Sequence, residues 1–280
     1  MNECLEVKPL LDDENLPAAK LQVNKEDVAR SFSLAASTYD QVAALQRSVA
    51  ENLLTKIPDQ AFANIVDLGC GTGVVSAQLV QRFSTSTVFG LDIAEGMLAY
   101  ARGQFPQSPL QWCCADAENL PLQDNCVDLV FSSLAVQWCA DFQQMCNDVI
   151  RVLKPGGTCV LATLGPDTLH ELRSAWQQVD GYVHVNRFLD SDAVKDAALN
   201  AGFECEFWQQ DIVMRYPELR QLTAELKALG AHNVNRGRPK GLTGRQRIEK
   251  LKAGYEVFRD VDGSLPASYD VYYLRLTKPL

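Results

Sequence analysis

Three glycines in one short turn are the residues of this sequence that most clearly predict ligand chemistry. The turn, VDLGCGTG at 66–73, carries glycine at every second position and directly follows an apolar stretch typical of a buried strand. Glycine accepts backbone conformations with positive φ and lets a ligand approach the main chain closely. Backbone N–H groups at the start of the next helix also attract polar ligands. The pattern therefore predicts a small-molecule site where this strand passes into a helix.

A carboxylate that follows the next apolar stretch supports such a site. Asp92 should lie at the tip of the second strand, beside the glycine turn, where an acidic side chain usually binds the two hydroxyls of a ribose. The glycine spacing is G-x-G-x-G, whereas dinucleotide sites that bind a pyrophosphate have G-x-G-x-x-G. Asp67, inside the turn, would repel a pyrophosphate and favours a ligand with a positive charge. The alternative is a simple strand–turn–helix connection without a ligand.

The ends of the third and fourth predicted strands add polar groups to the same edge. Ligands of open α/β sheets bind beyond the carboxyl ends of the strands. Asp116 follows the third strand and would accept a hydrogen bond from an adenine amino group, although a single aspartate is also ordinary in a loop. The predicted cofactor-binding residues are Asp67, Gly69, Cys70, Gly71, Gly73, Asp92, Ile93, Asp116, Ala117 and Ser132.

Four residues outside this set are candidates for positioning the reacting groups. Trp138 would be an aromatic wall beside a cationic group, or only a half-buried packing residue. Tyr39, on a helix before the sheet, would face the ligand or only hold that helix in place. His184 and Arg187 lie in a polar stretch after the fifth strand. A lone histidine is more often structural, whereas Arg187 would pair with a substrate carboxylate.

Charge is distributed unevenly along the chain. The formal net charge is −9, but residues 1–210 contain 13 basic and 27 acidic residues, whereas residues 211–280 contain 13 basic and 8 acidic ones. The overall acidity argues against a general nucleic-acid-binding protein. Basic residues cluster with only Glu249 among them, at Arg236, Arg238, Lys240, Arg245, Arg247, Lys250 and Lys252. This basic block is either a solvated surface or a docking site for an acidic macromolecule.

Alternating strand-like and helical stretches must position these residues. Predicted strands lie at 64–68, 87–91, 110–114, 126–131, 157–163, 203–213 and 268–277, and predicted helices at 41–56, 73–82, 94–103, 141–152 and 190–201, with another helix from residue 24. This alternation predicts an α/β fold, a Rossmann-like and mostly parallel seven-stranded sheet whose last strand is antiparallel. Residues 216–266 repeat leucine at helical spacing, so a helical cap is expected between the last two strands. Residues 1–22 are expected to be a flexible tail, and 23–280 a single domain.

Composition narrows the cellular setting and the cofactor chemistry. No apolar run approaches the roughly 20 residues that span a bilayer, and the N-terminus lacks the features of a secretory signal. The nine cysteines are scattered, without the paired spacing of a metal site. Reduced thiols in a cytoplasmic protein explain them most simply. We therefore expect a cytoplasmic monomer without a metal cofactor.

Four motifs resemble those of one enzyme family. They are LAVQWC at 134–139, H-x-N-R-F at 184–188, LKALGA at 226–231 followed by GR at 237–238, and L-P-x-x-Y at 265–269. Together they resemble the malonyl-acyl carrier protein O-methyltransferases of early biotin synthesis, within the class I S-adenosylmethionine-dependent methyltransferases. The resemblance covers about 23–280, whereas the glycine turn alone is specific only to the superfamily.

The resemblance implies methyl transfer from S-adenosylmethionine to the free carboxylate of a malonyl thioester on acyl carrier protein, which leaves S-adenosylhomocysteine. A carboxylate is already ionised at pH 7, so alignment for in-line attack replaces a general base. Tyr39, Trp138, His184 and Arg187 would position the reacting groups. The acidic carrier protein would dock on Arg236, Arg238, Lys240, Arg245 and Arg247.

Two other interpretations stay open at this level. One is a methyltransferase for another small carboxylate or a quinone, which would not need the basic block. The other is a protein of the same fold without methyl transfer, either an assembly factor that keeps the cofactor site for stability or an RNA-binding variant.

Overall fold

Seven strands form one mixed sheet at the centre of the structure. The computed structural model describes residues 23–231 and 244–280. The strands are β1 (Asn64–Leu68), β2 (Thr87–Asp92), β3 (Gln111–Cys114), β4 (Val127–Ser133), β5 (Leu153–Leu164), β6 (Glu204–Tyr216) and β7 (Leu265–Thr277). Their order across the sheet is β3-β2-β1-β4-β5-β7-β6. Strands β1 to β5 are mutually parallel, and β7 runs antiparallel between β5 and β6. The predicted fold class is confirmed.

Helices cover both faces of the sheet. They are α1 (Lys25–Val42), α2 (Ala44–Leu54), α3 (Val74–Arg82), α4 (Glu95–Gln104), α5 (Phe142–Val152), α6 (His170–Gln177), α7 (Ser191–Asn200), α8 (Leu219–Ala228) and α9 (Arg245–Glu256). Successive strand residues enter different hydrophobic clusters: Ile65 and Leu129 belong to one, and Val66 and Val130 to the other. Strands that are apolar on both faces are typical of a parallel sheet between two layers of helices.

Helix α1 lies over the carboxyl edge of the sheet, and it is held there by a close contact with α4. Asn24 caps α1, because its side chain accepts hydrogen bonds from the backbone N–H groups of Glu26 and Asp27. At the crossing with α4, the N–H of Gly96 donates to Ser33 Oγ at 3.1 Å. A Cβ at Gly96 would stand 2.8 Å from the Ser33 backbone. Glycine therefore lets α1 approach α4 and cover the ligand edge.

A helical cap connects the last two strands of the sheet. Helices α8 and α9 lie between β6 and β7 in the chain. A capping box begins α8, with reciprocal hydrogen bonds between Glu218 and Gln221. Leu222 and Leu251 are buried, and the hydroxyl of buried Tyr255 donates to the Pro266 carbonyl at 2.8 Å. The expected insertion is therefore helical and packed on the body of the sheet.

Two local features differ from the expectations. The fifth strand was expected at 157–163, but β5 begins at Leu153 and contains an irregularity: Leu153 pairs with Val127, and the next pair joins Thr158 to Leu129. Helix α6 is absent from the predicted elements. It has only eight residues, so its apolar positions span about two turns and give a weak periodic signal.

Part of the expected organisation falls outside the described residues. The tail at 1–22, together with Arg236, Arg238 and Lys240, lies there. Among residues 23–231 and 244–280, no helix is both long enough and apolar enough to cross a membrane.

Candidate active site

A cleft lies at the carboxyl edge of the parallel strands, where the sequence predicts a ligand. This first cavity has a volume of about 780 Å³. Strands β1, β2 and β4 and the residues directly after β3 contribute to its lining, as expected for the carboxyl edge of a parallel sheet. Its lining includes Gly69, Gly71, Asp92, Ile93, Asp116 and Ala117 of the predicted cofactor-binding set, together with Tyr39 and Trp138.

The glycine turn forms one side of the first cavity. Its glycines have φ angles of 74°, 54° and 82°, which side-chain-bearing residues rarely adopt. A Cβ on Gly69 would collide with Ala135, whereas one on Gly71 would meet no atom within 4 Å. The N–H groups of Gly69 and Cys70 donate to the Leu91 carbonyl at 2.7 and 3.0 Å. The turn is thus fixed against β2 and leaves open space at Gly71.

Asp92 faces the cavity with both carboxylate oxygens anchored. Its Oδ2 accepts from the Gly71 N–H and its Oδ1 from the Ala94 N–H, each at 2.8 Å. Burial raises the pKa of Asp92 above its ordinary value, although the backbone hydrogen bonds act in the opposite direction. Each carboxylate oxygen can accept a further hydrogen bond. The geometry therefore suits a ligand with two neighbouring hydroxyls.

Asp116 lies at the mouth of the first cavity and is engaged by helix α1. Lys25 Nζ lies 2.6 Å from Asp116 Oδ2 and 2.9 Å from Glu118 Oε2. The other Asp116 oxygen accepts from the Glu118 N–H at 2.9 Å. A ligand amino group at Asp116 would therefore share this carboxylate with Lys25, a residue that sequence analysis missed because its partners are about 90 positions away.

Asp67 has a partner inside the protein. Its carboxylate accepts from Ser76 Oγ at 2.5 Å, which ties β1 to the first turn of α3. Burial raises the pKa of Asp67 to about 7. Asp67 does not line the first cavity; it borders an adjoining space of about 790 Å³, the glycine-turn cavity, together with Cys70, Gln46 and Ser133. A ligand contact for Asp67 or Cys70 stays a prediction.

Ser132 does not face the first cavity. Its hydroxyl is buried and donates to the Leu68 carbonyl at 2.7 Å, so it links β4 to β1. Ser133 lines the first cavity instead. Successive strand residues point to opposite faces, and an error of one position in the assignment exchanges their roles. Gly73, the remaining predicted residue, is the N-cap of α3 rather than a lining residue.

A second cavity meets the first at an aromatic wall. It has a volume of about 1150 Å³ and lies beneath the cap. Phe32, Tyr39, Leu134 and Trp138 line both spaces. Phe32 packs edge-on against Trp138, with 5.3 Å between ring centroids, and lies 6.4 Å from Tyr39. Tyr39 and Trp138, predicted separately, are therefore brought together.

His184 lines both the second cavity and an outer cavity, whereas Arg187 lines only the outer one. His184 lines the second cavity, stacks on Trp176 with 3.6 Å between ring centroids, and its Nε2 lies 2.8 Å from Asp180 Oδ1. Arg187 is exposed and lines an outer cavity of about 940 Å³ that includes neither Tyr39 nor Trp138. A contact of Arg187 with a carboxyl or carbonyl oxygen of the substrate stays a prediction.

Polar side-chain atoms without a partner converge on these cavities. Among residues 23–231 and 244–280, the buried side-chain atoms that lack a hydrogen bond are Gln46 Oε1, Ser133 Oγ, Gln137 Oε1 and Asn186 Oδ1. Every one of these residues lines the first, second or glycine-turn cavity. Buried polar groups are nearly always paired in native proteins. We infer that ligands supply the missing partners.

Comparisons with known proteins identify the family. A family model for a methyltransferase domain matches residues 66–161. The biotin biosynthesis bifunctional protein BioHC of Cellvibrio japonicus is 51% identical over 92% of this chain and 51% of its own length. A malonyl-acyl carrier protein O-methyltransferase of Methylovorus sp. is 42% identical over 92% of this chain and 90% of its own length. The chain belongs to the malonyl-acyl carrier protein O-methyltransferase family. It spans about half the length of the bifunctional relatives.

A solved structure of low sequence identity supports the fold of this family member. Phosphoethanolamine N-methyltransferase 2 of Haemonchus contortus, in complex with S-adenosylhomocysteine, superposes with a TM-score of 0.58 at 16% identity. The match covers 91% of this chain and 60% of that one. At such identity the likeness concerns the fold alone.

The family's expected carrier-protein site is only partly described. Of the five predicted docking residues, Arg245 and Arg247 lie in α9, and the others fall outside the described residues. Arg245 is 93% exposed and pairs with Glu249 at 3.0 Å. Arg247 is 34% exposed and forms an ion pair with Asp180. Burial raises the pKa of Asp180, but hydrogen bonds from Arg247, the Tyr182 N–H and His184 together outweigh this, and the pKa is lowered overall. Arg245 therefore presents its charge to solvent, while Arg247 joins the cap to the loop that carries His184.

Proposed function

We propose that this chain transfers a methyl group from S-adenosylmethionine to the free carboxylate of a malonyl thioester on acyl carrier protein, an early step of biotin synthesis. The observation that carries this proposal is the meeting of two cavities at Phe32, Tyr39, Leu134 and Trp138. Methyl transfer requires donor and acceptor in line and in contact, and two cavities that share a wall supply that arrangement. The names of the curated relatives support the choice of substrate.

The first cavity fits S-adenosylmethionine by the chemistry of its own residues. Asp92 offers anchored oxygens for the ribose hydroxyls, and Gly71 leaves space that a side chain would fill. The cofactor also carries an ammonium group, which needs hydrogen-bond acceptors. Gln46 Oε1 and Ser133 Oγ are unpartnered beside the glycine turn. Both suit that ammonium group, whose positive charge would favour the ionised form of nearby Asp67.

The aromatic wall suits a positively charged sulfur. When bound, S-adenosylmethionine supplies a methyl group on a sulfonium, and aromatic faces attract cations by about 0.5–2 kcal/mol. Burial raises the pKa of Tyr39, and the carboxylates of Asp92 and Asp40 add to the effect. Its phenol therefore stays protonated at neutral pH, and it can donate a hydrogen bond to a substrate oxygen. Tyr39 and Trp138 accordingly act by positioning.

The second cavity provides an apolar chamber for the malonyl group. Leucine, tryptophan and phenylalanine side chains dominate its lining. A carboxylate there loses water, which raises its reactivity, and it needs no base because it is already ionised at pH 7. In this scheme His184 holds the Trp176 ring in the chamber wall. Arg187, on the outer cavity, lies where it could contact only a more distant part of the substrate.

An acidic carrier protein is the partner that best explains the basic block. Positive charge is concentrated in the sequence of the cap, whose helix α8 lines the second cavity, while residues 1–210 are acidic. Complementary charge steers association and fixes orientation. Arg245, with its exposed guanidinium, is the described residue best placed for this role.

Transfer of a labelled methyl group tests the function. The purified protein would be incubated with methyl-labelled S-adenosylmethionine and three acceptors: malonyl-carrier protein, free malonate, and malonyl-carrier protein whose carboxyl is already esterified. We expect label only in the first, as an ester that mild base releases. Label in the blocked acceptor would show that another atom is methylated. Equal labelling of free malonate would assign the chain to a small-carboxylate methyltransferase.

A further inference from the structure

Asn186 is the polar group of the second cavity whose environment calls for a ligand most clearly. Its side-chain oxygen is buried, and no partner for it exists within residues 23–231 and 244–280. Asn186 lines the second cavity and neither the first nor the glycine-turn cavity. The cofactor proposed above therefore cannot supply its hydrogen bond.

Several other polar groups around the second cavity already have partners. Thr168 Oγ1 exchanges hydrogen bonds with the backbone of Asp270. Glu225 Oε1 accepts from the Tyr216 hydroxyl at 2.8 Å, and His184 is bonded to Asp180. An amide oxygen left alone among apolar side chains costs free energy in proportion to its desolvation. Gln46 and Gln137 also line this cavity with unpartnered oxygens, but Gln46 borders the glycine-turn cavity as well, and Gln137 directly precedes Trp138 of the aromatic wall. Asn186 is thus the open acceptor of the second cavity that belongs to neither of those places.

The position of Asn186 shows which part of a substrate would reach it. Its neighbours Trp176, His184, Val185 and Phe188 line both the second cavity and the outer cavity. The aromatic wall, where transfer would occur, is lined by other residues. A long substrate with its carboxyl group at that wall would therefore pass Asn186 on its way toward the protein surface.

The group that donates a hydrogen bond to Asn186 cannot belong to the malonyl group, which has no N–H or O–H. A malonyl thioester has an ionised carboxylate and a thioester carbonyl, which are hydrogen-bond acceptors only. An acceptor such as Asn186 Oδ1 needs an N–H or O–H group. We infer that Asn186 accepts a hydrogen bond from a secondary amide in the thiol arm of the substrate. This inference rests on the proposed function, and it makes amide-bearing thiols of the pantetheine type the substrate class.

Paired changes in protein and substrate test this contact. The substrates are malonyl-pantetheine and a malonyl S-alkyl thioester of equal length without amides. The proteins are the natural chain, Asn186→Leu, and Asn200→Leu, a matched control in an exposed asparagine at the end of α7. Steady-state methyl transfer would give kcat and KM, and calorimetry would give the affinity for each thioester and for S-adenosylmethionine.

We expect a loss of activity only when the Asn186→Leu protein is combined with malonyl-pantetheine. Asn186→Leu should reduce kcat/KM for malonyl-pantetheine about tenfold, mainly through KM, because a buried hydrogen bond is lost. The S-alkyl thioester should change by less than about twofold, and cofactor affinity should be unaltered in both variants. Equal loss on both thioesters, or no loss on either, would overturn the inference. If no thioester is methylated, the proposed function fails, while calorimetric discrimination between the two arms still decides the role of Asn186.

Discussion

At the scale of single residues, the site depends on groups whose contacts leave capacity for a ligand. Asp92 is anchored by two backbone N–H groups and still faces the first cavity. Ser133, Gln46 and Asn186 have buried oxygens without partners in the described part of the chain. These unpartnered atoms mark the ligand positions more sharply than the charged residues do, since Arg247 and Asp116 are already engaged in ion pairs.

Asp92→Asn should weaken S-adenosylmethionine binding by about 10- to 100-fold. A hydrogen bond to a charged group is worth roughly 1.5–3 kcal/mol, and the amide replaces one acceptor oxygen with a donor. Calorimetry measures the affinity, and Asp196→Asn, in an exposed position of α7, is the matched control. Unchanged affinity in a folded Asp92→Asn protein would remove Asp92 from the cofactor site.

The role of a residue could be predicted from the sequence where it depends only on the local strand–turn–helix pattern. The glycine turn and Asp92 belong to one strand–turn–helix pattern, so local spacing was enough to place them. Ser132 was chosen where Ser133 faces the cavity, since the direction of a strand side chain depends on a register that sequence does not reveal. Arg187 was chosen for its charge, whereas the unpartnered side-chain oxygen of Asn186 is visible only in three dimensions.

At the scale of elements, α1 is the cover of the first cavity, and its contact with α4 sets how closely it can approach. Lys25, Val28, Phe32 and Tyr39 all come from this helix and line the cavity. The contact is tight at Gly96, where the backbone of Ser33 occupies the space that a side chain would need. Sequence analysis found the helix, but not the crossing that gives it a function.

Gly96→Ala should therefore separate α1 from α4. We expect a loss of about 1–3 kcal/mol in the free energy of unfolding, typical of overpacking, and weaker cofactor binding. Gly103→Ala in the same helix is the control, and the opposite effect is expected there. Nothing lies within 4 Å of the Cβ position of Gly103, so the change should stabilise the protein by about 0.5–1 kcal/mol. Denaturant unfolding of both variants checks this. Equal effects would show that the helix crossing is not tight.

The hydrogen bond between Asp67 of β1 and Ser76 of α3 should make the stability of the protein depend on pH. The pKa of Asp67 is raised to about 7 by burial, against about 3.9 in the unfolded chain. Between these values the native state holds a proton that the unfolded state has lost. Stability should therefore fall as pH rises from about 4 to 7, by up to about 1.4 kcal/mol per pH unit, and then level off.

Asp67→Asn removes this titration and isolates it from all others. The difference in unfolding free energy between the variant and the natural protein should move in favour of the variant from pH 4 to about pH 8, most steeply below pH 7, and stay constant above pH 8. Urea unfolding at four pH values measures it. A difference that does not depend on pH would mean that the Asp67 carboxyl titrates normally.

At the scale of the whole molecule, the cap carries the basic block of the sequence, and its helix α8 lines the second cavity. The two described arginines of the basic block have different surroundings: Arg245 is exposed, whereas Arg247 is tied to Asp180. The sequence revealed the excess of positive charge, but not that Arg245 is exposed while Arg247 is bound to Asp180. It follows that charge reversal should affect partner binding at one position and the local structure at the other.

Reversal of Arg236, Arg238 and Arg245 together should raise KM for malonyl-carrier protein at least about tenfold and spare malonyl-CoA. Exposed pairs contribute about 0–1 kcal/mol each, so several must change, and added salt should diminish the difference. Arg247→Glu should impair both substrates, because it breaks the link to Asp180. Steady-state kinetics with the two substrates distinguishes these outcomes. Equal loss on both substrates in the triple variant would argue against docking.

The central claim is that the methyl group passes at the wall shared by the first and second cavities. Single-turnover methyl transfer to malonyl-carrier protein, with both ligands saturating, tests it most directly. Trp138→Leu removes the ring beside Phe32, and Trp208→Leu, on the exposed side of β6, is the control. We predict that Trp138→Leu slows the transfer step about tenfold, since cation–π contacts of up to about 2 kcal/mol are lost, and that the control matches the natural protein. An unchanged transfer rate in Trp138→Leu would contradict the account.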